Sequence, residues 1–255
     1  MNYKPTTYIL KHFDMKNLAM QLFLALLTTC AFAQESIEGT IPDWSGGPGE
    51  VAVMAMGPPQ VLGTFDDMGN LEIPLKPDML AEVKKQVEAA NAESTDGWKA
   101  SLNTLADRFS CSGGELEVVN GDQPISGFPS MGAFMLVNME QKKRFGYLMV
   151  GSSKDFADGM VPYKFKPGYF LEWYFVEEAG SVKGECSMES YAVNQEDLYT
   201  KTTTYDLDLK KGWNIVKYEI HEVYTDGEGN SYPMNDSYRT IDSMPDEVRF
   251  IFMED

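Results

Sequence analysis

The segment TTTYDLDLKKGWNIVKYEIHEV, residues 202–223, alternates polar and apolar side chains on both sides of a short basic turn. In its first half, threonine, tyrosine and leucine alternate with threonines and aspartates, and in its second half Val216, Tyr218 and Ile220 share one side. Successive side chains of a strand point to opposite faces. The segment therefore predicts two half-buried strands of an antiparallel sheet, joined by a turn at residues 210–212.

The β pattern extends over most of the chain. YFLEWYFVE, residues 169–177, is apolar on both faces and predicts a central strand, and the runs at residues 132–139 and 145–151 are also of strand length. Residues 34–76 contain short strand-like segments between loops rich in glycine and proline. We predict a mainly β (α+β) fold, an antiparallel sheet or sandwich, with a small β unit at 34–76 and a larger β domain at 113–255.

Between these regions, the spacing of the apolar residues changes from that of a strand to that of a helix. This change predicts a helical hairpin at residues 77–112. The first helix starts after Pro77 and Asp78, and Lys84 and Glu88 are spaced to form an ion pair along it. The second helix would be capped by Asp96. The apolar faces of the two helices would contain Leu80, Val83 and Val87 in the first, and Trp98, Leu102, Leu105 and Phe109 in the second.

Residues 1–33 have the features of a signal peptide. An apolar run, Leu18 to Leu27, begins shortly after Met15, which offers a second start codon besides the first residue. The run is too short to span a bilayer, because a membrane helix needs about 20 apolar residues. The small-x-small sequence AFA ends at Ala33, so we predict cleavage between Ala33 and Gln34.

Cys30 offers a second interpretation of this region, since a cysteine after an apolar run can be lipidated and anchor the mature chain to a membrane. The residue before a lipidated cysteine is normally small, and here it is Thr29. We therefore favour ordinary cleavage and keep the lipid anchor as the alternative. Both interpretations predict an exported protein of the periplasm, the cell surface or the medium.

Acidic residues dominate the composition. The full chain has 21 basic and 39 acidic side chains, and without residues 1–33 it has 18 and 38, a formal net charge of −20. Such a surface repels phosphate backbones and anionic lipid headgroups. The composition therefore argues against nucleic acid as a partner, and no apolar run after residue 33 reaches membrane-spanning length.

Two cysteines, Cys111 and Cys186, remain after the predicted cleavage. Exported proteins meet an oxidising compartment, so a disulfide between the two is the default prediction. Because this disulfide would close a long loop, the chain-entropy account gives a stabilisation of about 4 to 5 kcal/mol. The alternative is a pair of buried free thiols.

No catalytic or metal-binding signature is complete. His221 is the single histidine after residue 33, and the strand pattern predicts that it faces solvent. Residues 226–237 match a calcium loop at the first alternating positions, but serine stands where the turn glycine and the bidentate glutamate belong. Glu177 and Glu178 form a carboxylate pair at a strand end, which is typical of a solvated surface. We assign no catalytic, cofactor-binding or metal-binding residue and expect no cofactor.

The stretch GTFDDMGNLEIPL, residues 63–75, has three interpretations: a metal loop, a plain turn or a family fingerprint. Polar residues between two strand-like segments favour a tight turn on physical grounds. The wider pattern resembles the exported β-sandwich modules of the carboxypeptidase-regulatory-like and transthyretin-like kind. Those modules open with an x-G-x-V/I strand and carry a T-x-D-x-x-G-x-F/L-x-I/L hairpin near a proline. The matching residues here are Gly39, Thr64, Asp66, Gly69, Leu71, Ile73 and Pro74.

The resemblance implies a non-catalytic accessory or surface module and transfers no functional residue. Because the unit is shorter than a full sandwich, it can instead belong to one sheet system with residues 115–255. We therefore predict a non-enzymatic protein that binds an unidentified envelope or extracellular partner or serves a structural role. One alternative is a carboxylate-dependent, glycan-directed hydrolase with an acidic cleft. Another is a carrier of an apolar or sugar ligand in a pocket lined by Trp173 or Tyr174.

Overall fold

The computed structural model describes residues 34–54, 59–95, 97, 99–129, 132–160 and 163–254. The predicted signal peptide, its last residue Ala33 and the alternative lipidation site Cys30 lie outside the described residues, as do Asp96 and Trp98. Residues Gln34–Asp255 form one compact unit. In the part of the chain that the structure describes, no helix is long and apolar enough to cross a membrane.

The described residues form 14 β-strands and three helices, which confirms the predicted mainly β class. The strands are β1 (Ser36–Thr40), β2 (Gly49–Val53), β3 (Gln60–Phe65), β4 (Asn70–Pro74), β5 (Glu117–Val119), β6 (Ile125–Phe128), β7 (Ala133–Asn138), β8 (Lys143–Gly151), β9 (Gly168–Val176), β10 (Gly180–Tyr191), β11 (Leu198–Leu209), β12 (Gly212–Thr225), β13 (Ser231–Ile241) and β14 (Arg249–Glu254). The helices are α1 (Met79–Glu93), α2 (Leu105–Arg108) and α3 (Lys154–Met160).

The strands form one hydrogen-bonded sheet that bends into two halves. Their order is β1-β4-β3-β2-β7-β8-β9-β12-β13-β11-β10-β5, with β14 beside β8 and β6 beside β9. One residue pair, Gly151 and Phe170, joins β8 to β9. We call β1–β4, β7, β8 and β14 the first half-sheet and the remaining strands the second half-sheet. Leu136 of the first and Trp173 of the second share one apolar core, so the halves pack in a sandwich-like manner.

The strands of residues 34–76 are continuous with the later sheet. They pair as β1-β4-β3-β2, and β2 continues into β7, where Val51 pairs with Leu136. Strand β9 is buried along almost its whole length, as its apolar sequence predicts. Its odd-numbered residues, such as Trp173, join the core between the half-sheets, and even-numbered ones, such as Tyr174, join a second core.

The segment 202–223 does form two strands, but they are not direct neighbours. β13 lies between β11 and β12, antiparallel to β12 and parallel to β11. The connection is closed by Asn214, whose side chain accepts a hydrogen bond from the Lys210 backbone N–H at 2.8 Å and donates to its carbonyl at 2.7 Å. The sheet is therefore mainly antiparallel, as predicted, with one parallel pair of strands, β11 and β13.

The helical insert is smaller than the sequence pattern predicts. Helix α1 begins at Met79, as expected after Pro77 and Asp78, but Lys84 pairs with Glu177 at 2.8 Å instead of with Glu88. The predicted length of the second helix is wrong, because the described residues form only the single turn α2. The preceding chain is instead tied to residues 123–125 by backbone hydrogen bonds from Leu105 N–H to the Gln123 carbonyl and from Ile125 N–H to the Asn103 carbonyl.

Two hairpins are closed by the same sequence, Asp-x-x-Gly-Asn, at Asp66–Asn70 and Asp226–Asn230. In both turns, the aspartate carboxylate accepts hydrogen bonds of 2.8–3.0 Å from the third and fifth backbone N–H groups and from the asparagine amide. Both glycines have positive φ, 81° and 78°. Among the three interpretations of residues 63–75, the geometry therefore shows a tight turn, and residues 226–237 likewise contain a hairpin loop.

Candidate functional site

The histidine and glutamates singled out from the sequence lie on the surface. His221 is exposed, as predicted, and its Nε2 lies 2.8 Å from Oγ of Ser237. Glu177 accepts hydrogen bonds from Nζ of Lys84 in α1 at 2.8 and 2.9 Å. Among the described residues, no group of three or more histidine, cysteine, aspartate or glutamate side chains is arranged to hold a metal ion.

The aromatic residues of β9 are part of the packed interior. Trp173 is fully buried and lies 6.4 Å from the ring of Phe134. Tyr174 is buried on the other face of the strand against Phe109, with 5.5 Å between ring centres. These side chains are packed against other rings, so neither offers a free face to a bound ligand.

Cys111 and Cys186 lie at disulfide distance. Their sulfur atoms are 1.97 Å apart and their Cα atoms 5.7 Å apart, within the range that disulfides allow. Cys186 is buried in β10 and Cys111 follows α2, so the pair holds the chain after α2 against β10. Gly113 lies so close to the Ser187 carbonyl that a Cβ atom would not fit between them.

The second half-sheet contains a buried carboxylate, Glu172 of β9, that sequence analysis did not single out. Its oxygens lie 3.3 and 3.4 Å from Nη2 of Arg108, and one accepts a 2.9 Å hydrogen bond from the Tyr174 hydroxyl. Burial raises the pKa of Glu172, and Arg108 and Tyr174 offset this only in part. The Arg108 guanidinium also lies 5.1 Å from the ring centres of Phe109 and Tyr174, a cation–π geometry.

Local sequence explains how Arg108 reaches this position. Helix α2 starts with a capping box, in which Oγ of Thr104 accepts the Asp107 N–H at 3.1 Å and the Asp107 carboxylate accepts the Thr104 N–H at the same distance. This box fixes the single turn. Leu105 and Phe109 then point into the second core, and Arg108 lies beside them above Glu172.

A second buried carboxylate, Asp236 of β13, lies on the same face of the sheet. Its Oδ2 accepts a 2.6 Å hydrogen bond from the Tyr218 hydroxyl and lies 2.9 Å from Nζ of Lys201. Its Oδ1 has no hydrogen-bond partner among the described residues. Burial, followed by the negative charge of Asp236, raises the pKa of Tyr218. We call Arg108, Glu172, Tyr174, Lys201, Tyr218 and Asp236 the buried charge cluster.

The register of the strands argues against Glu172 and Asp236 as a facing catalytic pair. Glu172 pairs with Val216, and Asp236 pairs with Ile220 on the opposite side of β12. Glu172 and Asp236 are therefore four residues apart along the strand direction and two strand spacings apart across the sheet. This corresponds to about 16 Å between their Cα atoms. The two carboxylates of glycosidases lie about 5 to 10 Å apart. Each carboxylate is instead neutralised by its own cation.

The hairpin of β10 and β11 extends beyond the strands on either side of it. β5 pairs only with residues 181–183, and β13 pairs only with residues 202–206. Beyond those pairs, β10 and β11 have only each other as strand neighbours within the described chain. We call residues 188–201, which end this ribbon, the hairpin tip.

The hairpin tip exposes large apolar side chains. Tyr191 is 67% exposed, and the directly opposite Leu198 is 45% exposed. Val193 in the turn and Met188 on the other face are also exposed. Four of the large exposed apolar side chains therefore lie within 11 residues of one hairpin, which distinguishes this end of the molecule from single exposed residues elsewhere.

Tyrosine contacts fix the hairpin tip in place. The ring of Tyr199 stacks 5.0 Å from Tyr224 and 5.7 Å from Tyr232. The Tyr232 hydroxyl accepts a hydrogen bond from the Val193 N–H at 3.1 Å and donates one to Asp226 at 2.9 Å. The tip is thus connected to the second Asp-x-x-Gly-Asn turn and is presented as an ordered surface.

An open depression of about 770 Å³ lies on the first half-sheet. Its lining includes the carboxylates of Glu38, Asp66 and Glu72 together with threonine and asparagine side chains. Asp66 is already hydrogen-bonded within its turn, and the lining contains no histidine, cysteine or basic residue. The lining of the depression therefore provides carboxylate and hydroxyl groups, but no histidine, thiol or cation that could act with them in catalysis.

Comparisons with protein-family models, with curated proteins and with solved structures found no match. The resemblance between residues 39–74 and exported β-sandwich modules thus remains a prediction from sequence. The functional argument depends on the geometry described above.

Proposed function

We propose that the protein is an exported binding protein without enzymatic activity, which contacts its partner in the cell envelope or outside the cell through the hairpin tip. The observation that carries this proposal is the clustering of exposed Tyr191, Val193 and Leu198 on an ordered hairpin. Contiguous exposed apolar groups on a folded protein typically mark interaction sites. Tyrosine is also a common energetic anchor of protein interfaces.

Two structural observations and the sequence resemblance support this assignment. The buried carboxylates Glu172 and Asp236 are each paired with a cation inside the fold, so they support the hydrolase alternative poorly. Trp173 and Tyr174 lie in packed cores, which weakens the carrier alternative. The resemblance of residues 39–74 to accessory and surface modules implies a function of the same kind.

Export is proposed from the signal-like residues 1–33 and agrees with the cysteine pair at disulfide distance. Recovery of the native protein from its cells and mass measurement of its N terminus tests this part. We expect a mature chain that starts at Gln34 in the envelope or the medium. A lipid-bearing Cys30 would support the anchored alternative, and an uncleaved cytoplasmic chain would contradict export.

Photo-crosslinking in intact cells tests the binding surface. A photoreactive phenylalanine analogue replaces Tyr191 in the hairpin tip, and in a control chain it replaces Met68, which is 71% exposed in the first Asp-x-x-Gly-Asn turn. We expect a discrete crosslinked species from position 191, lost on Leu198→Asp, and none from position 68. Equal crosslinking from both positions, or none from either, would contradict binding through the tip.

A further inference from the structure

The outer edge of β10 contains backbone groups that no neighbouring strand uses. The Ala192 N–H donates to the Asp197 carbonyl at 2.9 Å, which makes these two residues a hydrogen-bonded pair. In an antiparallel ladder such pairs alternate along the strand. Ser190 and Met188 therefore direct their backbone groups toward β11, whereas Tyr191 and Glu189 direct their N–H and C=O groups away from it.

The lower part of the same edge is covered. β5 pairs with residues 181–183, and the chain around Gly113 and Gly114 lies against the carbonyls of Ser187 and Glu185. These contacts agree with the alternation, because the covered carbonyls belong to odd-numbered residues. The open part of the edge therefore consists of the backbone groups of Glu189 and Tyr191, for which no hydrogen bond is formed with the other described residues.

This open edge lacks the usual protection against strand addition. Natural edge strands are commonly blocked by charged side chains, lysine above all, by proline, by a bulge or by a covering segment. The single charge on this edge is that of Glu189. Residues 188–191, Met-Glu-Ser-Tyr, contain neither lysine nor proline, and their pairing with β11 shows no shift in register.

The charge near the open edge indicates which strand would fit. Residues 184–200 contain four carboxylates, those of Glu185, Glu189, Glu196 and Asp197, and no basic residue. The nearest cation, Lys201 opposite Met188, is already paired with Asp236. A second copy of this chain would bring Glu189 and its acidic neighbours against the same residues, and facing like charges destabilise a strand pair. A basic segment would instead form opposite-charge pairs, and apolar side chains on it could pack against Met188 and Tyr191.

On the basis of the proposed function, we propose that the partner is a protein with an extended, basic segment, which adds as a strand to the open edge of β10 at residues 188–191. Main-chain hydrogen bonds to Glu189 and Tyr191 supply affinity, and Glu189 selects a basic side chain beside it. This is the strand-addition mode of peptide recognition. The tyrosine contacts of Tyr199 hold the edge in its extended conformation before binding.

The test uses the full exported chain and a labelled peptide, Lys-Val-Lys-Val-Lys-Val with blocked ends, titrated at about 0.15 M salt to screen distant charges. The matching Glu-Val peptide is the charge control. We expect the basic peptide to bind and the acidic one not to bind. Hydrogen exchange at the Glu189 and Tyr191 amides should slow when the basic peptide is bound, while the Ser190 amide, which faces β11, should change little.

Two substitutions of Glu189 separate the contribution of its charge to peptide binding from the contribution of its backbone N–H. Glu189→Gln removes the carboxylate, and Glu189→Pro also removes the outward N–H, which an edge strand tolerates because no β11 hydrogen bond is lost. We expect Glu189→Pro to bind about tenfold more weakly than Glu189→Gln, the effect of one lost hydrogen bond. Glu38→Gln, at an exposed glutamate of β1, should leave binding unchanged and serves as the matched control.

Strand addition is refuted if neither peptide binds, if Glu38→Gln weakens binding as much as Glu189→Gln, or if the two amides stay unprotected. Self-association that protects these amides without peptide would refute the basic partner in favour of a second copy. If Glu189→Pro does not fold, the exchange measurement on the unaltered protein decides. Crosslinking from position 191 without amide protection would retain the proposed function and reject strand addition.

Discussion

Replacing Arg108 by methionine tests how strongly the fold depends on the cation beside Glu172. Methionine keeps most of the apolar stem but leaves a carboxylate that is only 1% exposed without its charge partner at 3.3 Å. Breaking a buried ion pair by removing one member costs about 3 to 5 kcal/mol. Since the Arg108 side chain is 32% exposed, we expect the lower end, about 3 kcal/mol at pH 7.

The cost of Arg108→Met should depend on pH in a defined direction. Burial raises the pKa of Glu172 in the folded protein. A raised carboxyl pKa means that the folded state binds more protons, so this group favours folding fully below its unfolded pKa, and the benefit is lost as pH rises through the folded pKa. Loss of Arg108 raises that folded pKa further. The substitution should therefore cost less at pH 4, where the carboxyl is protonated, than at pH 7.

The assay is urea unfolding at both pH values, followed by tryptophan fluorescence, to which the buried Trp173 contributes. Glu172→Gln provides the background in which no charge is left unpaired, and there we expect Arg108→Met to cost less than about 1 kcal/mol. A cost that is equal at pH 4 and pH 7, or that is unchanged in the Glu172→Gln background, would refute the assignment of Glu172 as a carboxylate stabilised by Arg108.

Three further predictions concern the framework around these sites. Alkylation under native conditions should label neither Cys111 nor Cys186, and two labels should appear after reduction; labelling before reduction would contradict the disulfide. Replacing both cysteines by alanine should lower the free energy of unfolding by about 4 kcal/mol. Asp226→Ala should lower the urea midpoint more than Asp66→Ala, because only Asp226 also binds the Tyr232 hydroxyl; equal midpoints would argue against that contact. Thr104→Ala should cost about 1 kcal/mol by thermal unfolding, and no loss would mean that the capping box does not stabilise α2.

The elements predicted correctly depend on local sequence patterns. Strand β9 was identified because apolar residues occupy both of its faces, and helix α1 because Leu80, Val83 and Val87 recur at helical spacing after Pro77. Such patterns record which side chains are buried, and burial sets the type of element. They contain no information about which strands are neighbours, so the position of β13 between β11 and β12 could not be predicted.

The candidate site was largely missed for the same reason. Glu172 gave a signal, since a carboxylate in a strand with two apolar faces must be buried and paired, but its partner Arg108 is 64 residues away. Arg108 also lay within a segment predicted as a longer helix, whereas the structure pairs the preceding residues with Gln123 and Ile125. The hairpin tip was harder still to predict, because polar and apolar side chains do not alternate regularly over Met188 to Tyr191 and so do not indicate an edge strand.

The burial of β9 on both faces determines the order in which the protein opens. Trp173, Tyr174 and Phe170 of this one strand belong to three different apolar clusters. Displacing β9 would dissolve all three at once, so breathing motions short of complete denaturation are restricted to the periphery. The described residues of the hairpin tip contribute nothing to these three clusters, so a partner can bind there while the interior keeps its packing.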